Sequence, residues 1–194
     1  MSLDHLWAGW RASYVGSFGD GAPVSTSSGR GADGVPETTT SDGLTDSAPS
    51  LSERPCVFCE VFASAASDEE RLIVWSGETV VALLNAYPYA SGHVMVMPWR
   101  HARELEDLSE PEAAEVWQAV RAGVSAVKTA YRPDGINLGV NLGRAAGAGI
   151  PAHLHVHVVP RWLGDTNFMT SVASVRVLPE PLPESWQRLH AAWR

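Results

Sequence analysis

The run Ile150–Trp162, IPAHLHVHVVPRW, sets histidines at 153, 155 and 157 in an otherwise apolar stretch. Such alternation is the pattern of a half-buried β-strand, in which side chains at i, i+2 and i+4 share a face. His153, His155 and His157 are therefore expected on one side, with Leu154, Val156 and Val158 packed on the other. A buried imidazole needs a polar partner, and three on one face point to chemistry rather than packing. A single metal ion does not account for them. At about 3.3 Å per residue, His153 and His157 stand about 13 Å apart along a strand, whereas zinc–nitrogen bonds are about 2.0–2.1 Å. At most one ring serves a metal while the others do something else.

Two further groups carry donor atoms. Cys56 and Cys59, in CVFC, have the two-residue spacing that lets two thiolates grip one ion. His101, after the run VMVMPWR, or one of the three histidines can complete a tetrahedral set. C-x-x-C alone also suits a redox pair or two buried thiols, although the βαβ context of a thioredoxin-like site is not evident. The loop NLGRAAGAGIPA, Asn141–Ala152, is rich in glycine. Glycines let backbone N–H groups approach a ligand closely and form anion-binding hollows. Beside three histidines, such a loop reads as a phosphate cradle next to a nucleophile, because neutral imidazole attacks phosphorus near pH 7 and neighbouring rings can donate to the developing oxyanions.

These residues need a scaffold. RLIVWSGETVVALLN reads as two strands around a turn at Ser76-Gly77, and GHVMVMPWRH as a third with Val94 and Val96 facing opposite to Met95 and Met97. LSEPEAAEVWQAVRAGVSAVKTAY is a helix with a capping box at Ser109 and Glu112 and a stripe of Val116, Val120, Val124 and Val127. GINLGVNLG gives a fourth strand and the histidine run a fifth. An edge strand is expected within Asp165–Glu180 and a closing helix within Pro183–Arg194. Strands that meet without regular helical crossovers imply an α+β fold with an antiparallel sheet of about five strands, one long helix and a C-terminal helix.

Residues 16–54 differ in kind, being rich in Gly, Ser, Thr, Asp and Pro with little to bury, the composition of a disordered linker. The six acids of this stretch outnumber Arg30 and Arg54 by four, half of the chain's net charge of −8. Residues 1–15 carry Trp7, Trp10 and Tyr14 at helical spacing, the mark of a segment docking onto a domain over residues 55–194. The acidic balance argues against a nucleic-acid surface. The N-terminus lacks the pattern of a signal peptide, and no apolar run reaches the length of a membrane span. A soluble cytoplasmic protein is expected.

HLHVHVV, with CVFC, ALLNAYPYASGHVMVMPWRH and the glycine-rich loop after Asn141, resembles the histidine-triad (HIT) superfamily of nucleotide hydrolases and transferases, over about Cys56–Trp162. LWAGWRASYV and PRWLGDTNFM are similar to a bacterial branch associated with diadenosine tetraphosphate phosphorylase activity; the long linker departs from that branch. The resemblance implies that His155 is the nucleophile for an α-phosphoryl group, supported by His157 and His93. It implies that Asn85 meets ribose, that Asn141 meets phosphate, and that Cys56, Cys59, His101 and His153 hold a structural zinc, with no organic cofactor. Many hydrolase members carry glutamine four positions before the first histidine, where this chain has Gly149. Its missing side chain leaves room for inorganic phosphate as co-substrate, which the amides of Gly147 to Gly149, with Arg144 or Arg161 if they point inward, can hold. The implied activity is phosphorolysis of diadenosine tetraphosphate to ADP and ATP by a homodimer. Hydrolysis of dinucleoside polyphosphates or nucleoside phosphoramidates, a low-turnover nucleotide binder and a zinc-stabilised scaffold are the alternatives.

Overall fold

A computed structural model describes residues 55–165 and 180–194. The expected docking segment and linker, and most of the expected Asp165–Glu180 strand, lie outside the described residues. The elements are α1 (Val57–Ala63), β1 (Ile73–Ser76), β2 (Val80–Leu84), β3 (Val94–Pro98), α2 (Glu110–Tyr131), β4 (Gly135–Val140), β5 (Val156–Arg161) and α3 (Leu182–Ala192). The five strands form one antiparallel sheet in the order β1-β2-β3-β5-β4. This is the α+β architecture expected from the sequence.

The sheet has two apolar faces because its strands alternate. Val80, Ala82, Leu84, Val94, Val96, Val156 and Val158 point to α2 and α3, where Val116, Val120, Val127, Leu189 and Trp193 close the larger core. Val124 is only half-buried at the edge of that stripe. Met95 and Met97 point the other way, joining Ile73, Val81, Leu83 and Phe58 of α1. The long helix starts where the capping box requires: Ser109 Oγ accepts the Glu112 N–H, and the Glu112 carboxylate accepts from the Ser109 N–H at 2.8 Å. Glu112 also takes two bonds from Arg100, at 3.0 and 2.9 Å, and these hold its carboxyl down at about 2.

The histidine run departs from expectation at its start. β5 begins at Val156, so His153 and His155 lie on the approach to the strand rather than in it. The register that pairs Val96 with Val156 would set Pro98 opposite Leu154. Instead the Leu154 N–H bonds to the Ala102 carbonyl at 2.7 Å, beyond the end of β3. His101, just before Ala102, lies with its Nδ1 3.3 Å from Cys59 Sγ.

Candidate active site and metal centre

The site is built on the face of the sheet away from the long helix. In register across it stand Leu83 of β2, Met95 of β3, His157 of β5 and Gly139 of β4. Continuing the β4–β5 register places Asn141 across from His155. α1 covers this face through Phe58, whose ring meets His153 and His155 edge-on at 5.6 and 5.5 Å. A cavity of about 280 Å³ opens here. His155, His157, Asn85, Asn141 and Gly149 line it, and Phe58, Val61, Leu72 and Leu83 give it an apolar side.

The hydrogen bonds determine which ring nitrogens carry protons. His155 Nδ1 lies 2.8 Å from the His153 carbonyl. A carbonyl only accepts, so Nδ1 bears the hydrogen and Nε2 carries the lone pair. Burial lowers the pKa of His155, and the bond to the carbonyl offsets only part of this. The ring is thus a neutral nucleophile held at one tautomer. On the other side, the Tyr89 backbone N–H donates to His93 Nδ1 at 3.1 Å, so His93 Nε2 carries a hydrogen. That nitrogen lies 3.0 Å from His157 Nδ1, which accepts, and the proton of neutral His157 then sits on Nε2. A backbone amide thereby sets two successive tautomers and makes His157 a donor beside His155, ring centroids 4.7 Å apart.

Asn85 does more than line the cavity. Its Oδ1 accepts the Tyr87 N–H at 2.9 Å, and its Nδ2 reaches His93 Nδ1 at 3.4 Å. Gly92 turns the chain into His93 with a φ of +79°, and a Cβ there would lie 2.5 Å from the Tyr131 ring. Gly147 is not among the cavity's lining residues. Its N–H is used within the loop, on the Arg144 carbonyl at 2.9 Å, and its φ of +86° closes that turn. Gly149, by contrast, does line the cavity. Arg161 is turned elsewhere, with two bonds to Asp165 at 2.6 and 2.7 Å and one to Asn137 at 2.8 Å. Arg144 is exposed on the short turn Arg144–Ala146 and does not line the cavity.

The donor cluster lies behind this wall. Cys56 caps α1 and Cys59 sits in its first turn, so three-residue helical spacing puts both sulfurs on one side. Cys56 Sγ is 3.4 Å from His153 Nδ1, Cys59 Sγ is 3.3 Å from His101 Nδ1, and Cys59 Sγ is 3.8 Å from His153 Nδ1. All four ligand atoms lie within 4.8 Å of one another. A tetrahedral ion with bonds of about 2.0–2.1 Å to nitrogen and 2.3 Å to sulfur needs nitrogen–sulfur edges of about 3.5 Å. The residues fit such an ion. His153 Nε2–H donates to the Pro98 carbonyl at 2.9 Å, which leaves Nδ1 for the metal. Burial holds His153 down at about 4 and pushes the metal-free Cys59 thiol up to about 11, the latter with help from Cys56. Metal entry must therefore displace thiol protons.

The structure brings Asn85, Asn141, Gly149, His155 and His157 to the cavity, His93 against His157, and Cys56, Cys59, His101 and His153 into one cluster, while Gly147, Arg144 and Arg161 stay off the cavity lining. The rest of the cavity wall carries no such pattern in the sequence. Phe58, between the cysteines, was legible only if CVFC was read as a helical turn. Tyr89, whose ring lies 4.6 Å from that of His93, carried its signal in a backbone N–H that no side-chain pattern reveals.

The HIT domain profile matches residues 67–162. The AP-4-A phosphorylase of Mycobacterium tuberculosis is 46% identical over 127 residues, a match that spans 66% of this chain and 65% of the relative. A HIT-like protein of Saccharolobus solfataricus is 35% identical over 114 residues, which cover 59% of this chain and 79% of that protein. Among solved structures, a zinc-bound histidine triad protein from Mycobacterium smegmatis superposes with a TM-score of 0.57 at 30% identity, over 71% of this chain and 91% of that one. On these matches the chain belongs to the histidine-triad (HIT) family.

Proposed function

We propose that this protein is a nucleotidyltransferase that phosphorolyses diadenosine tetraphosphate to ADP and ATP through an adenylyl-His155 intermediate. The observation that carries the reading is the fixed tautomer of His155, whose lone pair on Nε2 is available at a cavity wall. Nε2 attacks an α-phosphorus and the bridging Pα–O bond breaks, so ATP leaves with the electron pair. The His157 Nε2–H donates to the developing charge. An oxygen of inorganic phosphate then attacks the same phosphorus, the P–N bond breaks, and ADP and neutral His155 result. The missing side chain at Gly149 leaves space for phosphate, and the AP-4-A phosphorylase likeness points the same way. Product analysis tests this. Diadenosine tetraphosphate with millimolar phosphate should give ADP plus ATP; AMP plus ATP under those conditions makes the protein a hydrolase.

The same proposal includes a structural zinc on Cys56, Cys59, His101 and His153. Four protein ligands close the coordination sphere, so the ion stabilises the fold and binds no reacting water. It also includes a homodimer in the cytoplasm. β4 ends the sheet and presents Leu138, 49% exposed, with Leu142 beyond it, 39% exposed, as apolar surface for a second copy. Among the described residues, no helix is long and apolar enough to cross a membrane.

A pH dependence follows from His155. Its neutral form attacks, and burial sets its pKa below the ordinary 6.5. The single-turnover adenylylation rate should therefore stay level as pH falls through 6.5 and decline only at lower pH. A rate already halved at 6.5 would contradict this.

A further inference from the structure

We propose that Tyr131 is a positioning residue for the reaction. Its ring, at the end of α2, backs the turn at Gly92 and so holds His93 where it sets the proton of His157. This rests on the reading above of the His157 Nε2–H as the donor beside His155. Neither Tyr131 nor Gly92 lines the cavity, so the effect runs through the histidines and not through contact with the nucleotide.

Gly92 has a φ of +79°, and a Cβ built on it would lie 2.5, 2.8 and 2.9 Å from Cε2, Cδ2 and Cζ of Tyr131. At those separations the ring rests directly on the backbone of the turn. The next residue is His93, which is fully buried. Its N–H is tied to the Ala90 carbonyl at 3.1 Å, and its carbonyl accepts the Asn85 N–H at 3.0 Å. The loop from Asn85 to His93 is thus closed on itself. Where its ring meets the Tyr89 N–H and His157 depends on where the Gly92 turn sets the His93 backbone.

The supporting ring is itself fixed. Its hydroxyl donates to Glu180 Oε2 at 2.6 Å. The same carboxylate takes the Ser185 hydroxyl at 2.8 Å and pairs with Arg188 at 2.9 Å. The Arg188 guanidinium stands 5.4 Å from the centre of the Tyr131 ring, and Trp162 meets that ring edge-on at 6.4 Å. α3 and the chain after β5 therefore hold the ring from behind while its face carries Gly92. A group held in place by packing and hydrogen bonds of this kind keeps a catalytic row in register.

The test measures single-turnover adenylylation from diadenosine tetraphosphate, and the protonation of the His157 ring nitrogens by NMR, in wild type, Tyr131→Phe and Tyr131→Ala. In Tyr131→Ala the rate at saturation should fall about ten- to a hundredfold, the cost of a catalytic group displaced from a distance. The half-saturating concentration should move by less than about twofold, since the cavity wall is intact. His157 should show both tautomers where wild type shows the Nε2–H form. Tyr131→Phe keeps the ring against Gly92 and should keep both the rate and the tautomer. Should Tyr131→Ala not fold, Tyr131→Leu fills the space without the ring face and is read in the same way. A lower Tm with an unchanged rate, or with an unchanged His157 tautomer, makes Tyr131 a packing residue only and overturns the proposal. If wild type takes no adenylyl group from the dinucleotide, the nucleotide reading fails, and the His157 tautomer alone then decides for or against Tyr131.

Discussion

Replacing His155 by alanine should lower kcat for diadenosine tetraphosphate by about 10⁴-fold or more while nucleotide binding survives. A loss of that size is about 5 kcal/mol of barrier. Neither His157 nor His153 can take over. His157 is tied through Nδ1 to His93, so its Nε2 carries a proton instead of a lone pair. His153 points both ring nitrogens away from the cavity, one to Pro98 and one to the cysteines. Binding should persist because Phe58, Val61, Leu72 and Leu83 remain as the apolar side of the cavity. Equilibrium binding of a slowly cleaved analogue, measured beside single-turnover rates, separates the two effects. A purified variant within tenfold of wild-type kcat would rule out attack by this ring.

His153→Ala should have the largest effect on stability. The ring is 1% exposed, wedged between Phe58, Phe62 and His101, with edge-on contacts of 5.6, 5.8 and 5.5 Å. Emptying a site of that kind costs about 3–5 kcal/mol, before any metal is lost. At about 2–4 °C per kcal/mol for a domain of this size, Tm falls by about 6–20 °C. The variant should also purify with little zinc, because Cys56, Cys59 and His101 alone leave the sphere open. The damage reaches the active site through two routes. α1 loses the contacts of Cys56, Cys59, Phe58 and Phe62 with His153, and the His153 carbonyl that orients His155 shifts. Elemental analysis and thermal melts check this. An unchanged metal content with an unchanged Tm would remove His153 from the centre.

Parts of this were legible in the chain and parts were not, for physical reasons. The long helix follows from local signals alone, because Ser109 and Glu112 bond reciprocally within one turn. β3 follows likewise from the alternation of valine and methionine. The histidine run kept its shared burial but not its regular geometry. Local alternation foresees a straight strand, whereas the Leu154–Ala102 bond and the turning back of His155 onto the His153 carbonyl begin β5 three residues late. Those bonds join segments distant in sequence or backbone atoms that carry no residue code. The same applies to the proton order along Tyr89, His93 and His157. CVFC displays its ligand spacing, but its helix is too short to show a period. In the glycine-rich loop, composition suggested a run of free amides. Gly147 instead spends its amide on closing the turn, and Gly149 remains at the cavity.

The central claim is a covalent nucleotidyl-histidine, and it is most directly tested by trapping that species. Wild-type protein mixed with diadenosine tetraphosphate in phosphate-free buffer, quenched in alkali and digested, should yield one adenylated peptide by mass spectrometry. Fragmentation should place the adenylyl group on His155. Adding phosphate before the quench should discharge it with formation of ADP. An adenylyl group on another residue, or rapid turnover with no adduct at any quench time, would contradict the account.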